Sequence, residues 1–486
     1  MHRIVPASAT QWRHLGSVLL LIVLAAAVPA PARADAELDA LKREAQDLVD
    51  RLREELDAVQ TERRRLEAER RGTTEPAGAP TATTAPEPAV AAEAAETERK
   101  VNVLTEEVAR LKENFVLPEG KELKSYYGLG PAASKVYQIN RGLSIGGYGE
   151  GNYSHKVTGD DPDRADLLRF VLYTGYKFSD RWLLNAEIEF EHSTTEGEGS
   201  VSVEQAYLDY LYDAPINARA GLVLIPLGFI NEIHEPVYFH GVNRPEVERR
   251  IIPTTWRELG AGVFGSSFSE DLQYRAYATT SLNAAGFNSD GIRDGRQQGS
   301  EALAENGAGS ARLDYTPHQV PGLLVGASAF VGNTGQDQDF AGSSVNGLLS
   351  LWDLHGQYRN YGLELRALAA FGSIDNAAAL SIANESTVPD QFDGWYAEAA
   401  YDVMPYLLGG ETSQYLAPFF RYEHYDTQGS VAPGFVRDLT KDIDLYTVGL
   451  SYKPHPQIVL KFDYRNFDPR EGEHPDDVNF GLGFIF

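Results

Sequence analysis

Apolar and polar residues alternate along most of the chain after residue 142. The segment RWLLNAEIEFEH, residues 181–192, places Trp, Leu, Ala, Ile and Phe on one parity and mainly Asn and Glu on the other. The segments INARAGLVLI, GLELRALAAF, DLYTVGLSYK and PQIVLKFDYRNF repeat this pattern. A period of two predicts strands with one apolar face. We count about sixteen such runs, each near the ~9–11 residues that a tilted strand needs to cross a bilayer.

The connections between these runs alternate in length. Short links such as Ser179-Asp180, HQVPG and PHP are followed by long polar stretches such as SHKVTGDDPDR and QGSVAPGFVRD. A transmembrane β-barrel has tight turns on one side and long loops on the other. The stretch PYLLGGETS is intermediate in length. The pattern predicts an all-β transmembrane barrel of about 16 antiparallel strands over residues 142–486.

The last run, VNFGLGFIF, has five apolar side chains on one parity and ends at Phe486. We expect it to be the lipid-facing strand that closes the barrel. An aromatic carboxy terminus resembles the assembly signal that outer-membrane barrels present to the barrel assembly machinery. Phe486 is therefore the predicted assembly signal.

The first 34 residues have the pattern of a secretory signal peptide. Basic residues precede the apolar run GSVLLLIVLAAAV, and small residues at Ala32 and Ala34 form an A-x-A cleavage site. A membrane-anchoring helix is the alternative, but the run is short for a ~20-residue span. Cleavage places the mature chain outside the cytoplasm.

Residues 35–71 have a heptad pattern, with apolar side chains at every seventh position from Leu38 to Leu66. They predict a helical coiled coil, and a single amphipathic helix is the alternative. Residues 72–99 are rich in Pro, Ala and Thr and predict a disordered linker. Residues 100–141 predict a short helix and a lead-in segment before the barrel.

Charge and composition exclude several classes of protein. The formal net charge of −27 argues against nucleic acid as a partner. The chain has no Cys, so a disulfide framework and thiolate chemistry are excluded. Its 25 Tyr, 21 Phe and 45 Gly suit a β-rich fold with aromatic belts and tight turns.

Residues 226–255 form the longest structured connection and combine many charges with three prolines. A barrel of about sixteen strands leaves an aqueous lumen, which an inward-folded loop can narrow, and charged groups at such a constriction set ion selectivity. The alternative is an external loop that packs on its neighbours or forms subunit contacts. The predicted constriction residues are Glu232, His234, Glu235, His240, Arg244, Glu246, Glu248, Arg249 and Arg250.

A second set of charged residues lies at the inward parity of the strands, where charges usually hydrate the lumen. The predicted lumen-facing residues are Glu187, Glu189, Glu191, Arg219, Arg275, Arg312, Arg366, Arg421, Lys461 and Arg465. Acidic residues outnumber basic ones, which would concentrate cations. Many of the acidic residues lie in loops, so the sequence leaves the sign of the net charge in the lumen open.

Motifs for catalysis are weak. The segment HEPVYFH brings His234, Glu235 and His240 close in sequence, but it is not H-E-x-x-H, and Pro236 favours an ordered loop. No G-x-S-x-G occurs. We therefore predict no enzyme activity, no catalytic residues, no metal site and no cofactor.

The stretch GLVLIPLGFINEIHEPVYFHGVNRPEVERRIIPTTWRELGAGVFG, together with GLSIGGYGEGNY and the terminal Phe, resembles outer-membrane porins of the phosphate-selective porin O and P group. The resemblance covers residues 142–486 and implies a sixteen-stranded trimeric channel with an inward-folded loop. Phosphate-specific members line the pore with Arg and Lys rows, whereas this chain is acidic. If phosphate passes, the resemblance points to Arg249, Arg250 and the inward arginines.

The expected function is a passive porin for small hydrophilic solutes or ions, including phosphate or other anions, in the outer membrane of a Gram-negative-type bacterium. The expected partners are outer-membrane lipid, the assembly machinery, two further copies in a homotrimer, and peptidoglycan through a periplasmic coiled coil. The alternative is a structural tether that uses the barrel as its anchor.

Overall fold

The computed structural model describes residues 123–157, 161–193, 199–340, 343–410 and 412–486. All of them belong to the second of the two units of the chain, Ala109–Phe486. The predicted signal peptide, coiled coil, linker and short helix lie outside the described residues. No helix among the described residues is long and apolar enough to cross a membrane.

Sixteen strands form one closed sheet and are numbered here in chain order. Their bounds are β1 Gly142–Lys156, β2 Arg164–Lys177, β3 Trp182–Glu191, β4 Ser200–Asp213, β5 Ile216–Leu224, β6 Arg257–Ser266, β7 Leu272–Thr280, β8 Gly307–Tyr315, β9 Leu323–Asn333, β10 Leu348–Asn360, β11 Leu363–Ile374, β12 Pro389–Tyr401, β13 Tyr415–Val431, β14 Asp442–His455, β15 Ile458–Pro469 and β16 Asp477–Ile485.

Each strand pairs with its neighbours in sequence in antiparallel fashion, and the sheet closes between β1 and β16. The closing register runs from Tyr148 opposite Ile485 to Lys156 opposite Asp477. The prediction of an all-β transmembrane barrel of about sixteen strands is confirmed, and the final strand is the closing strand.

Alternate residues along each strand face opposite sides of the barrel wall. In β3, Trp182 is 48% exposed on the outer face, whereas its neighbour Leu183 is fully buried on the inner face. Apolar side chains such as Leu208, Val448 and Phe480 continue the exposed outer surface. A lipid-facing wall requires this apolar band, and a polar interior is its usual counterpart.

The connections sort by length as predicted. At one end of the barrel, residues 214–215, 361–362 and 456–457 are two-residue turns, and residues 178–181, 267–271 and 316–322 are also short. Tyr361 and Gly362 both have positive φ, as a type I′ hairpin turn requires. Residues 402–414 depart from this rule because they include the helix Met404–Leu408.

The long connections lie at the opposite end and carry most of the remaining regular structure. They are residues 157–163, 192–199, 225–256, 281–306, 334–347, 375–388, 432–441 and 470–476. They include the helices Glu246–Arg250 and Ala377–Ala383, the 3-10 turns Ala284–Gly286, Arg293–Gly295 and Leu439–Lys441, and a ribbon of Asp339–Phe340 with Ser343–Ser344. A further short helix, Lys135–Gln138, precedes β1.

Two apolar clusters lie inside the wall. The larger joins Ile230, Ile252 and Trp256 of the 225–256 connection to Phe330 and Leu351 of the wall, together with other apolar side chains. The smaller joins Leu129 and Ala132, which precede the barrel, to Tyr148, Tyr173 and Tyr207. Burial of these side chains holds two segments inside the barrel. We call residues 225–256 the lumen loop and residues 123–139 the inner lead-in.

Candidate functional site: the lumen loop

One buried asparagine holds together the two ends of the lumen loop, where the loop leaves the wall and where it rejoins it. Ile225 N–H donates to Trp256 C=O at 3.0 Å. Asn231 Nδ2 donates to the carbonyls of Ile225 (2.6 Å) and Trp256 (2.9 Å), and its Oδ1 accepts from Trp256 N–H (2.6 Å). This asparagine satisfies backbone groups that would otherwise be buried without partners. The base of the loop is therefore fixed in one geometry.

Beyond this base the loop crosses the lumen and is bound by the far wall. Val242 N–H donates to Asp463 of β15 at 2.6 Å, and Arg421 of β13 donates to His240 C=O at 3.2 Å. Further contacts are made to the loop backbone by Arg366 of β11, by Lys453 of β14 and by Asp353 of β10. The loop therefore spans the barrel and does not line a single side of it.

Gly228 shows how closely the loop is packed. Its φ is +65°, and an added β-carbon would lie 2.6 Å from Glu248 Oε2. This position favours glycine for both reasons. The tight turn brings Gly228 N–H to Asp353 Oδ2 at 3.1 Å.

The structure places the nine predicted constriction residues in three groups along the loop. Glu232, His234 and Glu235 lie buried against strands β3, β7 and β8 and against the inner lead-in. His240 is buried against Glu364 and Ser451 at the far wall. Glu246 and Glu248 are buried, whereas Arg249 is half exposed, and Arg244 and Arg250 are partly exposed.

Glu232 joins a network of paired charges. Arg275 Nε lies 3.0 Å from Glu232 Oε1, and Arg275 also contacts Asp314 at 2.7 Å. Arg312 contacts the same Asp314 at 2.8 Å. His355 bridges Asp314 and Asp353, at 2.9 and 2.6 Å. Each charge in this network therefore has at least one partner of opposite sign.

The helix Glu246–Arg250 forms a second charged contact. Glu246 pairs with Arg249, Arg250 and, at 3.2 Å, with Arg465 of β15. Burial disfavours the charged carboxylate, but these three arginines outweigh burial and lower the pKa of Glu246 to about 2. The acid is therefore held as a carboxylate in the folded protein.

Glu248 is fixed by hydrogen bonds to neutral donors. It accepts from Tyr396 O–H at 2.6 Å and from Ile230 N–H at 2.6 Å. Burial raises the pKa of Glu248, and the two hydrogen bonds only partly oppose this shift. Two neighbouring acids of the loop therefore have pKa values displaced in opposite directions.

Arginines also gather where the helix meets the 281–306 connection. Arg293 donates to the carbonyls of Arg249 (3.2 Å) and Thr254 (2.6 Å), and Arg296 donates to those of Pro253 and Thr255. Burial and the neighbouring arginines lower the pKa of Arg293 to about 9. These arginines hold the backbone at the end of the loop.

The predicted lumen-facing residues all lie on the inner face of their strands, and all but Glu191 are buried. The basic ones do not form an unpaired row. Arg219 contacts Asp209 at 2.8 Å, Arg421 contacts Glu398 and Glu423, and Arg465 contacts Asp477. Lys461 lies 3.6 Å from the centre of the Phe239 ring. Carboxylates and loop carbonyls therefore occupy the guanidinium groups that would otherwise bind an anion.

Sequence reasoning missed the inner lead-in as part of the lumen. Glu235 accepts from Ala132 N–H (2.8 Å) and Ala133 N–H (3.2 Å), and Asn185 of β3 donates to Ala133 C=O. Tyr137 O–H donates to Asp209 at 2.6 Å. The available signal was the run of small residues GLGPAAS, which allows close approach: an added β-carbon on Gly130 would lie 2.3 Å from Glu235 Oε1.

The lumen is more fully occupied than the aqueous passage narrowed by one loop that the sequence predicts. The physical reason is that the lumen loop and the inner lead-in supply enough polar and charged partners to bury the charged inner face. In the described conformation, these two segments lie across the interior.

Comparisons with known proteins identify one curated relative. A protein of Aquifex aeolicus (strain VF5), described as an uncharacterized protein, is 36% identical over 393 residues, which are 78% of this chain and 87% of the relative. No family model matches the chain.

Several solved outer-membrane proteins are similar in structure at low sequence identity. OmpF of Salmonella typhi, in complex with daunomycin, has a TM-score of 0.46 at 15% identity and covers 71% of this chain and 98% of its own. The channel DcaP of Acinetobacter baumannii has 0.46 at 13%, with 71% and 98% covered. An anion-selective porin from Comamonas acidovorans has 0.45 at 11%, with 71% and 99% covered.

Proposed function

The chain belongs to the same family as the Aquifex aeolicus protein, and we propose that it is a porin-type channel for small hydrophilic solutes or ions. One observation carries this proposal: the closed sixteen-stranded wall is apolar outside and densely charged inside. A barrel of this strand number is wide enough to enclose a passage. Charged inner faces suit hydrated solutes, whereas an apolar lumen would suit hydrophobic ones.

The apolar outer band supports a location in the outer membrane of a Gram-negative-type bacterium, with lipid as the surrounding partner. Both ends of a barrel with an even number of strands lie on the same side. In this proposal the short turns and the amino-terminal region are periplasmic, and the long connections are external. Assembly into a homotrimer and contact with peptidoglycan through residues 35–71 remain further parts of the proposal.

The packing of the lumen loop bears on how the channel conducts. Because the loop contacts strands from β3 to β15, solutes pass only where these contacts open or between the packed segments. We therefore propose a low conductance that depends on the position of the loop.

The paired arginines also bear on the solute. A phosphate ion would have to displace carboxylates from Arg275, Arg312 or Arg421 before it met an unpaired guanidinium. Selective phosphate transport is therefore not favoured by these contacts, although Arg249 at the loop helix remains half exposed.

Single-channel conductance in a planar bilayer tests the proposal, with the reversal potential measured under a salt gradient. Discrete steps would support a channel, and the sign of the reversal potential gives its selectivity. Anion selectivity with conductance blocked by phosphate would favour phosphate-selective transport, as the resemblance to the phosphate-selective porins implies. Absence of any conductance from correctly folded protein would contradict the channel.

The filled lumen also favours a second candidate, a tether that uses the barrel as a membrane anchor. Here the lumen loop and the inner lead-in would be permanent core. Deletion of residues 35–99 would then detach the outer membrane from the cell wall and leave conductance unchanged. A channel without a tether predicts an intact envelope after the same deletion.

A further inference from the structure

A β-bulge in β4 turns an additional acid into the lumen. The register between β3 and β4 shifts between Glu187 and Ile188, so Glu187 pairs with Gln205 and Ile188 pairs with Val203. Glu204 is the extra residue, and both Glu204 and Gln205 are buried. Bulges are a common means of redirecting a side chain beside a functional site. Regular alternation would have placed only one of these two side chains inside.

The bulge completes a group of three side chains of the types that bind metal ions. Glu187 of β3, Glu204 of β4 and His234 of the lumen loop each offer one ligand atom, and these atoms all lie within 4.8 Å of one another. All three residues are buried. They come from three different segments, so one ion at their centre would join the loop to the wall.

His234 is oriented as a metal ligand would be. Its Nδ1 lies 3.2 Å from Asn231 C=O, which can only accept a hydrogen bond, so Nδ1 carries a proton. Its Nε2 then faces Glu187 Oε1 at 3.0 Å. A neutral imidazole would direct a lone pair at a carboxylate, so either a second proton or a cation lies between them. Donation from the other ring nitrogen to a backbone carbonyl is the usual support of a metal-bound histidine.

Buried oxygens without partners provide a second and independent observation. Glu187 Oε2 has no hydrogen-bond partner, and neither does the side-chain amide of Gln205, which is 1% exposed and lies opposite Glu187 across the strand pair. Unsatisfied buried oxygens are costly and point to a missing cation or donor.

We propose that Glu187, Glu204 and His234 bind one Zn²⁺ ion, which fastens the lumen loop to β3 and β4. One imidazole nitrogen with two carboxylate oxygens suits Zn²⁺, whereas Ca²⁺ and Mg²⁺ prefer sets made entirely of oxygen. This inference concerns binding and does not depend on the channel proposal.

The test uses the full mature chain without a histidine tag, refolded in chelator-treated buffer and titrated with Zn²⁺. We expect one Zn²⁺ per chain, measured by elemental analysis after gel filtration, and a higher temperature for heat-induced unfolding. Glu204→Gln and His234→Gln should each weaken binding about tenfold or more. His240→Gln and Glu364→Gln are the matched controls, because this pair also joins the loop to the wall and lies away from the site.

A second measurement on the unaltered protein guards against variants that fail to fold. Co²⁺ should give visible absorption bands that Zn²⁺ abolishes. Folded protein that binds neither ion would overturn the proposal and assign the group to a protonated His234 paired with Glu187. Binding that is unchanged in both site variants, or binding of Ca²⁺ alone, would overturn it as well.

Discussion

Glu246 shows how a single side chain holds the lumen loop in place. It is 3% exposed, yet it faces Arg249 and Arg250 of its own helix and Arg465 of the wall. Removing one partner from such a group leaves charges buried without compensation, which costs more than the pair itself contributes. These pairs require the charged carboxylate. The contribution of Glu246 to the free energy of unfolding should therefore depend on pH.

We predict that Glu246→Gln is less stable than the wild type near neutral pH and that the difference disappears in acid. The folded pKa of about 2 is lower than the usual 4.5. The contribution is therefore fully present above pH 4.5 and is lost as the pH falls through 2, with a magnitude of at most ~3 kcal/mol. Urea unfolding in lipid vesicles, followed by Trp fluorescence, measures it.

The control for this prediction is Glu473→Gln, at an exposed position. It should follow the wild type at every pH. A difference between Glu246→Gln and the wild type that persists unchanged at pH 2 would show that the carboxylate charge is not the cause.

At the scale of the element, the lumen loop is a long connection held inside a closed wall by contacts with its far side. Val242 of the loop approaches β16 closely: an added β-carbon on Gly481 would lie 3.1 Å from Val242 Cγ1. The chain contains no Cys, so a new disulfide here would have no competing thiol.

We predict that the pair Val242→Cys and Gly481→Cys forms a disulfide on oxidation, because the two positions lie within bonding range. If conduction requires the loop to move, oxidation of the double variant should lower its conductance about tenfold or more. The disulfide would remove the population of molecules in which the loop is displaced. A reductant should restore it.

Gly481→Cys alone is the matched control and should conduct equally in both redox states. Equal conductance of the oxidised and reduced double variant would contradict movement of the loop. Conduction would then take a fixed path between the packed segments.

The elements differ in how far the sequence could predict them. The strands follow from alternation, which is a local signal. Length and charge single out residues 226–255 as a candidate inward loop, but an external loop fits the same signals. The bulge at Glu204 leaves a weaker trace: Val201 and Val203 face outward on odd positions and Leu208 on an even one. The contact between Glu235 and the inner lead-in leaves only the run of small residues GLGPAAS, which does not identify its partner, because the contact joins residues 103 positions apart through backbone donors.

At the scale of the whole molecule, one residue completes the circle of strands. Phe486 N–H donates to Gly147 C=O at 2.9 Å, and Gly147 N–H donates to Phe486 C=O at 3.0 Å. An added β-carbon on Gly147 would lie 2.6 Å from Phe486 Cζ. The carboxy terminus therefore bonds directly to the first strand.

We predict that deletion of Phe486 lowers the yield of folded protein in the outer membrane. Two lost backbone hydrogen bonds remove ~2 kcal/mol, which lowers the ratio of folded to unfolded molecules about thirtyfold. Loss of the predicted assembly signal should lower the yield further. Heat-modifiable mobility of membrane fractions on a denaturing gel measures it.

Phe268→Ala is the control, because Phe268 is 81% exposed in a short turn. It should leave the yield unchanged. A normal yield after deletion of Phe486 would contradict both the structural and the assembly role of the terminal residue.

The long reach of the lumen loop has a consequence for the order of folding. Val242 lies 221 residues from its partner Asp463, and His240 lies 181 residues from Arg421. Contacts of such high contact order form slowly. The loop emerges after five strands, but its far docking groups exist only when the fifteenth strand is in place. We therefore expect the nascent barrel to pass through a hollow, hydrated intermediate. Docking of the lumen loop onto the far wall would then be the last step of folding.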